Sequence, residues 1–150
     1  MALEIEAIGK QREQALALFF KLLREQEESY FNPHPFTDEQ AHWLADYTGK
    51  DLYCLMLSEN KVLAYGLLRG WDEGYETPSL GIVVHPAYRG KKLGGQMMRF
   101  LQEAARARGA VSIRLRVHEE NRIARAMYEK LGYHFSGVKE RGQLVGILVL

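Results

Sequence analysis

The sequence has little of what several protein classes require. It holds one cysteine, Cys54, so no disulfide can form within the chain, and a reducing, cytoplasmic setting is the simplest expectation. Lysine and arginine number 20 against 19 aspartates and glutamates, for a formal net charge of +1. That balance argues against a general nucleic-acid binder. No apolar run approaches the ~18 residues of a membrane span, and the N-terminus lacks the form of a signal peptide. There is no internal repeat and no low-complexity linker. At 150 residues the chain is expected to form one domain. Burial of roughly 70% of its unfolded surface suffices for a core without covalent staples.

What is present reads as alternating strands and helices. Residues 3–8 alternate apolar and polar, as a half-buried strand does. Residues 10–27 carry the amphipathic pattern A-L-A-L-F-F-K-L-L-R, a helix. Asn32-Pro33-His34-Pro35 breaks the chain. Thr37 and Gln40 form a capping box for a short helix carrying Ala41, Trp43, Leu44 and Tyr47, with Gly49 as its stop. Strands at 51–58 and 62–69 make a hairpin around Glu59-Asn60-Lys61. A polar loop, 70–78, leads to a strand at 80–85. A long helix follows at 93–108, with Leu93, Met97, Phe100, Leu101 and Ala104 at helical spacing. Residues 111–117 form a fifth strand, Asn121 caps a helix running to Leu131, and 133–138 with 144–150 close the chain as a hairpin. A hairpin run followed by strand–helix–strand units implies a mixed sheet covered by helices.

The stretch from Leu80 to Met98, L-G-I-V-V-H-P-A-Y-R-G-K-K-L-G-G-Q-M-M, organises the rest. A strand, a basic glycine-bearing turn and a helix N-terminus make an anion site, because the first helical amides lack internal partners and the macrodipole adds positive charge there. Lys92, just before the helix, is expected near helical dihedrals, which lysine tolerates. This stretch resembles motif A of the GNAT superfamily of N-acetyltransferases: Arg or Gln, two residues, Gly, one residue, then Gly or Ala. Here Arg89, Gly90, Lys91, Lys92, Leu93, Gly94 stand in that pattern, with Lys92 in place of the first motif glycine. A second block, N-R-I-A-R-A-M-Y-E-K-L-G-Y at Asn121–Tyr133, resembles the other cofactor-side segment of the superfamily. This second half resembles the ribosomal-protein N-terminal acetyltransferase subgroup.

The resemblance implies an α/β (α+β) fold: a mixed, mostly antiparallel sheet of about seven strands flanked by about four helices. It implies one acetyl-CoA-dependent N-acetyltransferase domain over residues 1–150, passing an acetyl group directly to a primary amine of a small molecule or peptide. Coenzyme A pyrophosphate would sit on Arg89, Gly90, Lys91, Lys92, Leu93, Gly94 and Gly95. The backbone of Ile82, Val83 and Val84 would pair with the pantetheine amides, which requires the fourth and fifth strands to splay. Asn121 and Ala124 would face the cofactor, and Tyr128 would protonate the departing thiolate. The subgroup's fifth-strand glutamate is replaced by Arg116, which cannot act as a base near neutral pH. The nearest carboxylates to the alternative family position are Glu76 and Asp72. Glu76 is the single choice for a base, with His118 and Glu119 as further options.

The acceptor site is expected on loops and helix edges, among residues 30–36, Trp43 and residues 71–76, with Tyr30, Phe31, Trp71 and Asp72 foremost. Their aromatics suit an aliphatic amine stem, and the acidic residues a cationic amine. Cys54 reads as a buried strand residue rather than a nucleophile, and His85 as a strand-end residue. The expected assembly is a monomer or homodimer without nucleic acid, membrane or metal. A second reading, supported by the missing glutamate, is a GNAT-fold module that binds acyl-CoA as a regulator without turnover. A third is an interaction domain with a basic turn.

Overall fold

The computed structural model describes residues 2–26 and 33–150. The elements are β1 (Glu4–Ala7), α1 (Glu13–Glu25), α2 (Asp38–Asp46), β2 (Leu52–Ser58), β3 (Lys61–Arg69), β4 (Ser79–Val84), α3 (Leu93–Ala107), β5 (Ser112–Val117), α4 (Arg122–Lys130), β6 (His134–Glu140) and β7 (Gln143–Val149), with short 3-10 turns at Lys10–Arg12 and Pro86–Tyr88. The seven strands form one sheet in the order β1-β2-β3-β4-β5-β7-β6. Every neighbouring pair is antiparallel except β4 and β5. This is the mixed, mostly antiparallel α/β architecture expected from the sequence. No helix among the described residues is long and apolar enough to cross a membrane.

The apolar pattern of each element states which faces it buries. β2 and β3 are buried on both faces. Tyr53, Leu55, Leu57, Tyr65 and Leu67 pack with Leu16, Phe19, Phe20 and Leu23 of α1 and Ala41 and Leu44 of α2. Cys54, Met56, Ala64 and Leu68 pack with Met97, Met98, Leu101 and Ala105 of α3. Each such side chain fully buried contributes about 1.5–3 kcal/mol relative to exposure. α3 lies so close to β3 that a Cβ on Gly66 would stand 2.9 Å from Met97 Sδ and 3.0 Å from Leu101 Cδ1; the strand carries glycine there because a neighbouring element fills the space. β5 alternates: Ile113, Leu115 and Val117 enter the α3–α4 core, while Arg114 and Arg116 lie on the opposite face, half-buried.

Three local expectations are corrected. Phe100 is 37% exposed, and Met98 and Ala105 take the buried α3 positions instead. α2 ends at Asp46, with Tyr47 already extended, so Gly49 is not its stop. A side chain at Gly49 would collide with the Tyr47 ring and the Asp72 carboxylate, so close approach accounts for that glycine. Lys92 adopts φ 64°, ψ 17° as the N-cap of α3, the left-handed region rather than helical dihedrals. The lysine holds a conformation that costs a residue with a Cβ about 1–2 kcal/mol, which explains why a glycine suits this position.

Candidate active site

A cleft of about 710 Å³ opens where β4 and β5 part. The two strands pair only at Ser79 and Arg114, through the Arg114 N–H donating to the Pro78 carbonyl at 3.0 Å. Thr77 Oγ1 and Ser112 Oγ, 3.0 Å apart, close the same end. Beyond Ser79 the β5-facing edge of β4 has no strand partner, while its other edge pairs with β3 through Val84. An extended strand with a free edge offers amide and carbonyl groups to a ligand in the manner of strand addition.

The N-terminus of α3 closes one end of this cleft. No side chain caps it, so its first amides keep their donors and their partial positive charge. Gly90 holds φ 78° and carries the chain into the turn. A Cβ on Gly94 would meet Met127 Sδ at 3.4 Å and one on Gly95 only Arg99 Nη1 at 3.7 Å. Protein packing therefore does not require these glycines, and their bare backbone lines open space. Arg89, Gly90, Lys92, Leu93, Gly94 and Gly95 all line the cleft, as do Ile82, Val83 and Val84. Lys91 is not part of the lining; its ammonium lies 5.7 Å from the centre of the Tyr88 ring.

α4 supplies the facing wall. Asn121 Oδ1 accepts from the Ala124 N–H at 3.4 Å, the cap expected of it, and Asn121, Ala124, Met127 and Tyr128 line the cleft. Tyr128 is 8% exposed. Burial alone pushes its phenol up to about 12, so the hydroxyl stays protonated throughout the neutral range. Its neighbour Tyr133, with ring centres 5.9 Å apart, has a hydroxyl sealed from solvent without a partner among the described residues.

The remaining sequence candidates fall elsewhere. Tyr30 and Phe31 lie outside the described residues. Glu76, Trp71 and Asp72 do not line the cleft. Their loop is fastened at the far end of β4, where Asp51 Oδ1 accepts from the amides of Gly70, Trp71 and Asp72 at 3.1, 2.9 and 3.2 Å. Asp72 accepts from the Tyr47 hydroxyl and, at 2.7 Å, from the Lys50 amide. These bonds hold its carboxyl below the usual range. Trp71 is covered by the Arg108 guanidinium, 4.8 Å from the ring centre. Glu76 is an exposed loop residue. Trp43 packs on Tyr47 and Tyr53, and Phe36 is buried with Phe20.

Glu119 pairs with Lys139, outside the cleft lining. His85 accepts from the Ala87 N–H at 3.1 Å and packs against Phe19 and Tyr88. Cys54 is fully buried, its Sγ 3.6 Å from the Gly66 carbonyl. Burial pushes its thiol up to about 12, which makes it unreactive.

The cleft wall also contains residues that the sequence reading did not select: Arg69, Ser79, Met127 and Gln143, together with Arg116, noticed there only as a missing glutamate, and His118, noticed as an option. A period-two reading of S-I-R-L-R-V-H would have placed Arg114, Arg116 and His118 on one face of β5.

The chain belongs to the GNAT family of acetyltransferases: the model of the Acetyltransferase (GNAT) family matches residues 16–133. Solved structures share its fold end to end. An acetyltransferase of the GNAT family from Streptococcus pneumoniae is 20% identical, with 99% of each chain covered and a TM-score of 0.80. The PaiA N-acetyltransferase of Thermoplasma acidophilum, solved with coenzyme A, is 14% identical, with all of each chain covered and a TM-score of 0.74. The ribosomal-protein-S18-alanine N-acetyltransferase of Escherichia coli is 17% identical, with 99% of this chain and 93% of that one covered and a TM-score of 0.71. At these identities the likeness is one of fold, and it does not single out the ribosomal-protein subgroup.

Proposed function

We propose that residues 1–150 form one N-acetyltransferase domain that moves an acetyl group from acetyl-CoA to a primary amine by direct attack. The observation that carries this reading is the parting of β4 and β5 after a single pair, opening onto an uncapped helix N-terminus. An elongated ligand with a phosphate end and an amide-bearing arm fits such a cleft. The first-turn amides of α3, with Arg89 and Lys92, hold the pyrophosphate. The free edge of β4 from Gly81 to Val84 holds the pantetheine arm. Acetyl-CoA supplies the activated acetyl thioester.

The protein's own groups then have two proton tasks. Tyr128 presents a neutral O–H from the α4 wall, donates to the sulfur position and stabilises negative charge there. The amine must lose a proton before or during attack. Among the described residues no carboxylate lines the cleft, so Glu76 carries no step in this account. His118 stands on the cleft wall and takes that proton, directly or through water.

Free-thiol release with acetyl-CoA and a panel of primary amines, with products identified by mass, tests the reading. Amine-dependent release with a mass gain of one acetyl group is expected. The absent carboxylate favours a second reading, a regulatory module that binds acyl-CoA without turnover. Tight CoA binding with no amine-dependent release would establish that reading instead.

A further inference from the structure

We propose that the amine acceptor carries an anionic group, a carboxylate in the simplest case, seated between Arg69 and Arg116. This rests on the acetyltransferase reading and adds the acceptor's chemical class: an amino acid or similarly acidic amine rather than a polyamine or simple cationic amine.

The topology brings the two arginines together. Arg69 ends β3 opposite Ser79, and Ser79 pairs with Arg114 of β5. Arg116, two residues further along, lies on the same face as Arg114. The two guanidiniums therefore flank the start of β4, at the opposite end of that strand from the turn carrying Arg89 and Lys92. Both line the cleft and both are half-buried. Arg116 feels the charge of Arg69: burial first, then Arg141, and to a lesser extent Arg114 and Arg69, press Arg116 toward its neutral form, with Glu140 opposing. Arg69 is held by a hydrogen bond with the Tyr53 hydroxyl.

Glu140, the carboxylate whose charge reaches Arg116, is already engaged by Arg114. Among the described residues neither arginine has a carboxylate within ion-pair distance, whereas Arg114 on the same face has Glu140 Oε2 at 2.5 Å and Arg12 has Glu6 Oε1 at 2.6 Å. Among the described residues the cleft lining includes Arg69, Arg89, Lys92 and Arg116 and no aspartate or glutamate. Two half-buried like charges without ion pairs of their own are unfavourable until an anion joins them, and paired guanidiniums bind a carboxylate through charge-assisted, often bidentate bonds. A cationic amine lacking an acidic group is disfavoured beside two guanidiniums.

Matched amines test this: an amino acid, its amide and its decarboxylated amine, together with phosphoethanolamine against ethanolamine. The expected result is a kcat/KM at least about 10-fold higher for the acid than for its amide or decarboxylated form. Arg116→Gln should erase that preference mainly through KM, Arg116→Lys should restore part of it, and CoA affinity should stay unchanged. A preference for phosphoethanolamine over the amino acid would assign the same arginines to a phosphate instead and overturn the carboxylate assignment. Calorimetric titration of the amino acid into CoA-loaded protein reads the anion site without turnover. Heat lost in Arg116→Gln would support the site even if the acetyltransferase reading fails. Equal kcat/KM across the matched set, or wild-type binding by folded Arg69→Gln and Arg116→Gln proteins, overturns the proposal.

Discussion

The two ends of α3 are built in opposite ways. Beside its C-terminal end, Arg108, Asp51 and Asp72 all find partners within the chain. Arg108 donates to the Lys50 carbonyl at 2.6 Å and lies over Trp71, while Asp51 and Asp72 together accept from four backbone amides and a tyrosine hydroxyl. At its N-terminal end the helix is uncapped, two turn residues hold positive φ, and, among the described residues, cations stand without carboxylates in the lining. The carboxylates of the 70–78 loop invite a catalytic or amine-binding role when read from sequence. In the fold, Asp72 is consumed by a turn, and Glu76 stays on the surface. The uncapped helix amides and the cationic lining mark the functional end.

Breaking the functional end should give the largest effects. Tyr128→Phe keeps the ring that packs on Tyr133 and removes the hydroxyl; kcat should fall by about 10²-fold or more with acetyl-CoA affinity retained, as stopped-flow thiol release and calorimetry would show. With a phenol at about 12 in the fold and near 10 when unfolded, the unfolded chain loses this proton first. The Tyr128 contribution to stability is therefore complete below pH ~10 and is lost as pH rises toward ~12. No Tyr128 limb should appear in the pH–rate profile across the neutral range. Arg89→Ala should weaken acetyl-CoA binding by roughly 1.5–3 kcal/mol, the value of a hydrogen bond to a charged group, with an unchanged melting temperature.

Breaking the structural end should do the reverse. Asp51→Ala leaves the amides of Gly70, Trp71 and Asp72 without their acceptor and should cost about 1–3 kcal/mol of stability. Thermal melts would register about 2–4 °C per kcal/mol at this chain length, and acetyl-CoA affinity should not change. Smallest of all, Glu76→Gln should leave both kcat and its pH dependence unaltered. A loss of turnover confined to low pH in that variant would return the loop to the mechanism.

The sequence makes one side of the cleft legible and hides the other. The Arg89–Gly95 turn and the Asn121–Tyr133 block are local: glycines, cations, a cap and a tyrosine lie close along the chain, and the family resemblance rests on them. The strand and helix order is equally local, since period two and period 3.6 differ within one element. Arg69 and Arg116 are 47 positions apart and meet only because β4 lies between their strands. Asp51 reaches Gly70 through the β2–β3 hairpin, which makes a nearby acidic residue structural. Lys92 shows the limit within a motif, because a backbone sign of φ is set by the turn as a whole and is not written in the lysine.

Hydrogen–deuterium exchange with and without acetyl-CoA compares the two ends of α3 in one experiment. New protection is expected at residues 81–84 and 90–96, along the free edge of β4 and the first turn of α3, with the amides of 70–76 unchanged. Protection centred on 70–76, or none at 90–96 at saturating acetyl-CoA, would contradict it.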